Sequence, residues 1–272
     1  MKRSVNLSVI CALCLSVLLF IVPYVGKMGE WLYTAFYALA FVVPLVLTLA
    51  LCRLTGVEFK PLPLKIKRDG VANFLPLVVP TVAAIMLISL VTSWLLSKGG
   101  ITDTTTLSGT VPMIYLMYAV IPAVGEELLF RFVPISLVAP YSKKNAVLVS
   151  AILFALVHFN LLQLPYALFA GVVFAALDIM CDSILPSVVI HLLNNAISIT
   201  LALYPSVEKL TFVIIMASAA LLTCMSIAFA FLKRKRYLEE MRAIISHGSV
   251  VLTKGFAVFA VAALAFTILL LF

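Results

Sequence analysis

Two adjacent carboxylates, Glu126 and Glu127, lie inside an apolar run from Val111 to Pro140, and a guanidinium, Arg131, follows one helical turn after Glu127. Two imidazoles stand in other apolar runs: His158 in S-A-I-L-F-A-L-V-H-F, and His191, with Asn195 one turn on, in I-H-L-L-N-N-A. An ionised group at the centre of a bilayer costs roughly 2.5–3.5 kcal/mol on insertion scales, and helix propensity offers nothing to offset it. Glu127 and Arg131, at i and i+4, suit an internal ion pair. Glu126, rotated by ~100° from its neighbour, points elsewhere. A carboxylate beside an imidazole, away from bulk water, suits general-base activation of a water molecule. His191 and Asn195 share a helix face and offer N–H donors to a developing oxyanion. Together these groups fit hydrolysis of a carbonyl, a peptide bond above all. The same residue types also suit zinc, with Glu126, His158 and His191 as ligands, or a proton relay in a transporter.

The elements that must position these groups are membrane spans. Of 272 residues, 64% are hydrophobic and only 11% charged, against about half and a quarter in a soluble domain. The expected fold is an all-α, polytopic transmembrane helix bundle of about eight to nine spans, with a polar site inside the membrane. Nine apolar segments can be drawn, near 5–25, 31–52, 74–96, 111–139, 145–162, 164–180, 184–203, 210–232 and 249–271. At ~1.5 Å per residue the fourth can cross a ~30 Å hydrocarbon layer as one helix, bent at Pro122 or Pro134. The start, M-K-R before some twenty mostly apolar residues, lacks a small-x-small cleavage site and is expected to be an uncleaved first span. The whole chain, 1–272, is read as one membrane domain.

Positive charge orients the spans. With the N-terminus in the cytoplasm, only Lys27, Lys98 and Lys209 of the 19 Lys and Arg fall on the outer side. The basic excess therefore reports topology in the bilayer and not a nucleic-acid partner. The segment Lys233–His247 reads as a solvated loop or as a basic stretch along the anionic inner leaflet. The five cysteines lie within or beside apolar runs, without convincing metal spacing.

Depth along the helices tests whether the polar residues meet. Segments four and five form a hairpin turning near Ser142, and Glu126 and His158 lie equally far in sequence on either side of it. In an antiparallel pair they stand side by side. Segments six and seven turn near Ser183, which sets His191 and Asn195 roughly 12–18 Å up the next helix, near the same level. Two hairpins thus bring Glu126, His158, His191 and Asn195 to one zone. Asp178 and Asp182, near the cytoplasmic end of the sixth segment, match no motif and are expected at the membrane edge, a gating or substrate-contact role being the alternative.

The runs E-E-L-L-F-R (Glu126 to Arg131), F-A-L-V-H (Phe154 to His158) and H-L-L-N-N (His191 to Asn195) resemble, in order, the E-E-x-x-x-R, F-x-x-x-H and H-x-x-x-N motifs of the CPBP family. That family comprises the type II CAAX prenyl proteases and the bacterial bacteriocin-processing, or Abi, proteins. The resemblance covers about residues 110–203, the core of the domain; the flanking spans match only in being apolar. It implies an intramembrane endopeptidase, with Glu126 and His158 activating water and His191 and Asn195 forming the oxyanion pocket. Glu127 and Arg131 would support the site, and Phe154 would pack against it. It favours a metal-free glutamate protease without a cofactor, zinc being the alternative. The implied substrate is a membrane-associated or lipidated peptide. The implied setting is a multi-pass protein of a bacterial-type cytoplasmic membrane, its site open toward the cytoplasm. A non-catalytic bacteriocin-immunity or sensor-binding scaffold would use the same polar cluster for binding alone.

Overall fold

The computed structural model describes residues 1–25, 29–66, 68–102, 107–204, 220, 224, 228, 231–232, 234–245 and 249–270. They are all-helical, with no strand among them. Six helices are long and apolar enough to cross a membrane: α1 (its span Lys2–Pro23), α2 (Glu30–Thr55), α3 (Phe74–Ser97), α4 (Val111–Val138), α6 (Leu164–Cys181) and α7 (Leu185–Leu203). Between α4 and α6 stands the shorter α5 (Lys143–Leu156). After α7 come α8 (Arg234–Ile245) and α9 (Lys254–Leu269). Most of the eighth expected segment, 210–232, lies outside the described residues.

Helix α4 contains both prolines that were expected to bend it. Each follows a widened turn with i→i−5 bonding: Ile121 N–H reaches the Leu116 carbonyl, and Val133 N–H reaches that of Leu128. A proline ring would otherwise press on the carbonyl four residues back and leave it without a donor. For Pro134 that carbonyl is Phe130 O, and the buried Ser150 hydroxyl of α5 donates to it. The polar residue thus repairs the backbone where proline breaks it, and joins α4 to α5 beside the two glutamates.

Small residues bring the other helices close. A Cβ on Gly171 of α6 would lie 2.7 Å from Ala151 Cα of α5, and one on Gly125 would lie 2.5 Å from the Phe41 ring of α2. Glu126 therefore sits directly beside a helix–helix contact. The Ser142 hydroxyl caps α5 by accepting from Asn145 N–H at 3.3 Å.

The fifth segment differs from its expected course to residue 162. Its helix ends at Leu156, and His158 stands on the turn that follows. The His158 ring itself occupies the Phe154 carbonyl at 2.7 Å, the acceptor the next helical amide would use. Phe159 then takes a left-handed φ of 46°, and Asn160 Oδ1 accepts from Leu162 N–H at 2.9 Å. Irregular backbone at membrane depth is tolerated where it lines a cavity. The stretch after Lys233 also has more form than a loop: α8 carries an Arg236–Glu240 ion pair of 3.0 Å and buries Ile244 near Ile135 and Val147.

Candidate active site

Glu127, Arg131, Asp178 and Ser187 have no exposed surface. Glu127 Oε2 lies 3.0 Å from Arg131 Nε, the ion pair expected from their spacing. The guanidinium carbon sits 4.0 Å from the Phe154 ring centroid and 5.2 Å from that of Phe174, so two aromatic faces shield the charge. The other oxygen of Glu127 has a second duty: Oε1 accepts from His191 Nδ1 at 2.7 Å. Asp178, expected at the membrane edge, is fully buried within the protein, whereas Asp182 is exposed. Asp178 accepts from Ser187 N–H at 3.0 Å and from the Ser187 hydroxyl at 2.7 Å. Ser187 is one turn before His191, so Asp178 fixes the start of the helix that carries this imidazole. Its signal in the sequence is a carboxylate in an apolar run that belongs to none of the three motifs.

Above this layer stand the residues expected to do chemistry. Glu126 Oε2 is 4.0 Å from His158 Nε2 and 3.9 Å from His191 Nε2. Each imidazole is held from behind, His158 Nδ1 by the Phe154 carbonyl and His191 Nδ1 by Glu127. A carbonyl and a carboxylate only accept, so each Nδ1 donates, and the Nε2 of a neutral ring turns a lone pair toward Glu126. Phe154 packs edge-on to both rings, with centroids 4.9 Å from His158 and 5.8 Å from His191. Asn195 lines the same cavity, and Asn194 Nδ2 reaches Asn195 Oδ1 at 3.4 Å. That contact engages the amide oxygen of Asn195 and leaves its NH2 as a donor.

The cavity measures about 260 Å³. Besides the four expected residues and Phe154 it is lined by Tyr37 of α2, Tyr118 of α4, and Tyr166 and Phe174 of α6. No sequence signal marked the tyrosines, which look like ordinary aromatic residues of apolar helices. One expectation changes in detail. With Nδ1–H of His191 engaged by Glu127, this ring offers Nε2–H to an oxyanion only when it carries both protons, whereas Asn195 needs no such change.

The donor set also bears on zinc. Two neutral imidazoles with anchored Nδ1 atoms, their Nε2 atoms facing one carboxylate, are side chains a zinc ion takes as ligands, but no group of three such residues among those described already stands close enough to hold an ion. Bonds of ~2.0–2.1 Å place neighbouring ligand atoms of a tetrahedral shell ~3.3 Å apart. The separations of 4.0 and 3.9 Å are wider, so these side chains would have to close on an ion. Neither a curated protein nor a solved structure matches the chain. Residues 108–197, which contain all three motifs and every candidate catalytic residue, match the family described as type II CAAX prenyl endopeptidase, Rce1-like, consistent with the CPBP family.

Proposed function

We propose that the chain is an intramembrane endopeptidase that hydrolyses a peptide bond of a membrane-associated or lipidated peptide. The observation that carries this reading is the convergence of His158 and His191 on one oxygen of Glu126, at 4.0 and 3.9 Å. Neither distance is a direct hydrogen bond, but one water at ~2.8 Å from each partner spans such a gap. Glu126 takes a proton from that water as its oxygen attacks the substrate carbonyl, and later gives the proton to the departing amine. His158 Nε2 orients the water by accepting its other hydrogen. Asn195 Nδ2 donates to the oxyanion, joined by His191 when its ring carries both protons. Glu127 and Arg131 fix His191, and Phe154 limits the space left for further water. The unit acts as one membrane domain, 1–272, built around the core at 110–203. Its N-terminus lies in the cytoplasm of a bacterial-type cell, with no nucleic-acid partner.

Asn195→Ala tests the oxyanion assignment. Loss of one such donor lowers turnover by about 10²–10³-fold, with KM for a model membrane peptide little changed. Turnover at the parent level in a folded Asn195→Ala protein would remove Asn195 from this role.

A zinc peptidase is the second reading, favoured by the two Nε2 atoms that face Glu126 Oε2 at 4.0 and 3.9 Å. Glu126, His158 and His191 would then hold the ion, which would supply Lewis-acid activation of water. The metal-free reading expects no stoichiometric zinc by elemental analysis and hydrolysis that survives exhaustive chelation. Metal whose removal and return switch hydrolysis off and on would reassign the three residues as ligands.

A further inference from the structure

Resting on the peptidase reading, we infer that the scissile bond reaches Glu126 from the extracytoplasmic half of the membrane, not from the cytoplasm. Three observations combine: which end of the bundle is basic, which end is sealed, and where the cavity lies.

Hydrogen bonds place the basic turns at one end. Lys60 N–H bonds to the Ser136 carbonyl, Leu62 N–H to the Ser136 hydroxyl, and Ile184 N–H to the Pro63 carbonyl. Segment 57–66 is thereby tied to the end of α4 and the start of α7. Lys2 and Arg3 line a surface pocket there with Glu58 and Tyr141, and Asn145 bonds to Ser249 and Val251 just before Lys254. Lys143 and Lys144 open α5 at the same turn. At the opposite end Thr110 N–H bonds to Glu30 Oε1 at 3.2 Å, joining the starts of α2 and α4. Lys98, set over the Trp94 ring at 3.7 Å, is the Lys or Arg found there among the described residues. Such asymmetry puts the basic end in the cytoplasm.

The basic end is closed beneath the site. Glu127, Arg131, Asp178 and Ser187 form a layer without exposed surface, and Leu137, Val138 and Ser183 below it are equally buried. The cavity lies on the other side. On α4 its lining runs from Glu126 back through Pro122 to Tyr118, away from Arg131. Along α6 it runs from Gln163, the N-cap residue at the helix start, past the middle to Phe174; α2 contributes Tyr37, near its outer end. His191 and Phe174, which touch Glu127 and Arg131 of the buried layer, form the floor of the cavity, and Tyr37, Tyr118, Pro122 and Gln163 extend its lining toward the outer end.

The substrate class follows. A peptide carried to the cytoplasmic surface meets the sealed layer, whereas a peptide tethered in the outer leaflet, or emerging from the bilayer on that side, meets the cavity. Tyr37, Tyr118 and Tyr166 give that cavity apolar walls with polar tips, suited to an extended apolar chain entering from the interface. The cytoplasmic opening expected from the motifs is thus replaced by an outer one.

Accessibility of single added thiols tests this. Gln163→Cys places a thiol at the cavity's outer lining, and Lys143→Cys places one on the basic turn. Each is treated with a charged, membrane-impermeant maleimide in right-side-out and in inverted vesicles, beside the parent protein, whose own cysteines set the background. Gln163→Cys is expected to react in right-side-out vesicles and to lose peptide hydrolysis on reaction. Lys143→Cys is expected to react only in inverted ones. Reaction of Gln163→Cys only in inverted vesicles, or of Lys143→Cys in right-side-out ones, overturns the inference. So does a folded Gln163→Cys that reacts from neither side, unless Tyr118→Cys, the second lining position, reacts from outside. The two readings fail separately. An inactive protein labelled from outside removes the peptidase and leaves the access route, and an active one labelled from inside does the reverse.

Discussion

Glu126→Gln is expected to lower peptide hydrolysis by about 10²–10⁴-fold, the worth of one positioned general base, while insertion and folding are unchanged. The substitution keeps the side chain's size and a hydrogen-bonding tip, so the packing of Gly125 against Phe41 next door is undisturbed. What it removes is the one basic oxygen that both imidazoles face, at 4.0 and 3.9 Å. Glu127 cannot replace it. Its Oε1 is bonded to His191, its Oε2 is paired with Arg131, and it has no exposed surface. The measurement is cleavage of a membrane-reconstituted peptide by purified parent and variant, with melting temperature in detergent as the folding control. Equal rates in two equally stable proteins would rule out Glu126 as the base. A parent that binds peptide but never cleaves it would instead favour a scaffold that uses the same cluster for recognition.

The parts of this site legible in the sequence were those set by spacing. Glu127 and Arg131 at i and i+4 on one helix left little freedom, and the pair forms. The equal distances of Glu126 and His158 from Ser142 set their common depth, because two antiparallel helices joined by a tight turn must run in register. Less legible were relations that depend on rotation and on where helices stop. The second bond of Glu127, to His191, needs α7 turned toward α4, which no count along either helix reveals. The end of α5 at Leu156 follows from one side chain, His158, competing for a backbone carbonyl. Asp178 looked peripheral because it sits a few residues from a turn. Its burial comes from Ser187, on the far side of that turn, folding back to donate twice. The half of the membrane that holds the cavity was also out of reach. Depth alone placed the residues mid-bundle, whereas the position of the cavity relative to the buried layer depends on how the side chains of several helices pack.

Arg131→Ala is expected to destabilise the fold by roughly 3–5 kcal/mol, the range for breaking a buried ion pair by removing one partner. Glu127 would keep its bond to His191 but lose the guanidinium 3.0 Å away, with Asp178 and Glu126 as further carboxylates in the same cluster. The loss goes beyond charge. Arg131 is among the largest fully buried side chains of the described residues and lies against the Phe154 and Phe174 rings, so alanine also opens a cavity beside both rings. Phe154 in turn carries the carbonyl that holds His158 and packs on His191. The damage therefore reaches both imidazoles through packing, without any contact between Arg131 and substrate. The expected signature is poor accumulation in the membrane and a lowered melting temperature in detergent. The double variant Arg131→Ala, Glu127→Ala separates the two contributions. Removing both charges relieves the stranded carboxylate but not the cavity, so it should recover part of the lost stability and little of the hydrolysis. An Arg131→Ala protein as stable as its parent would show that the buried pair is not what holds this layer together.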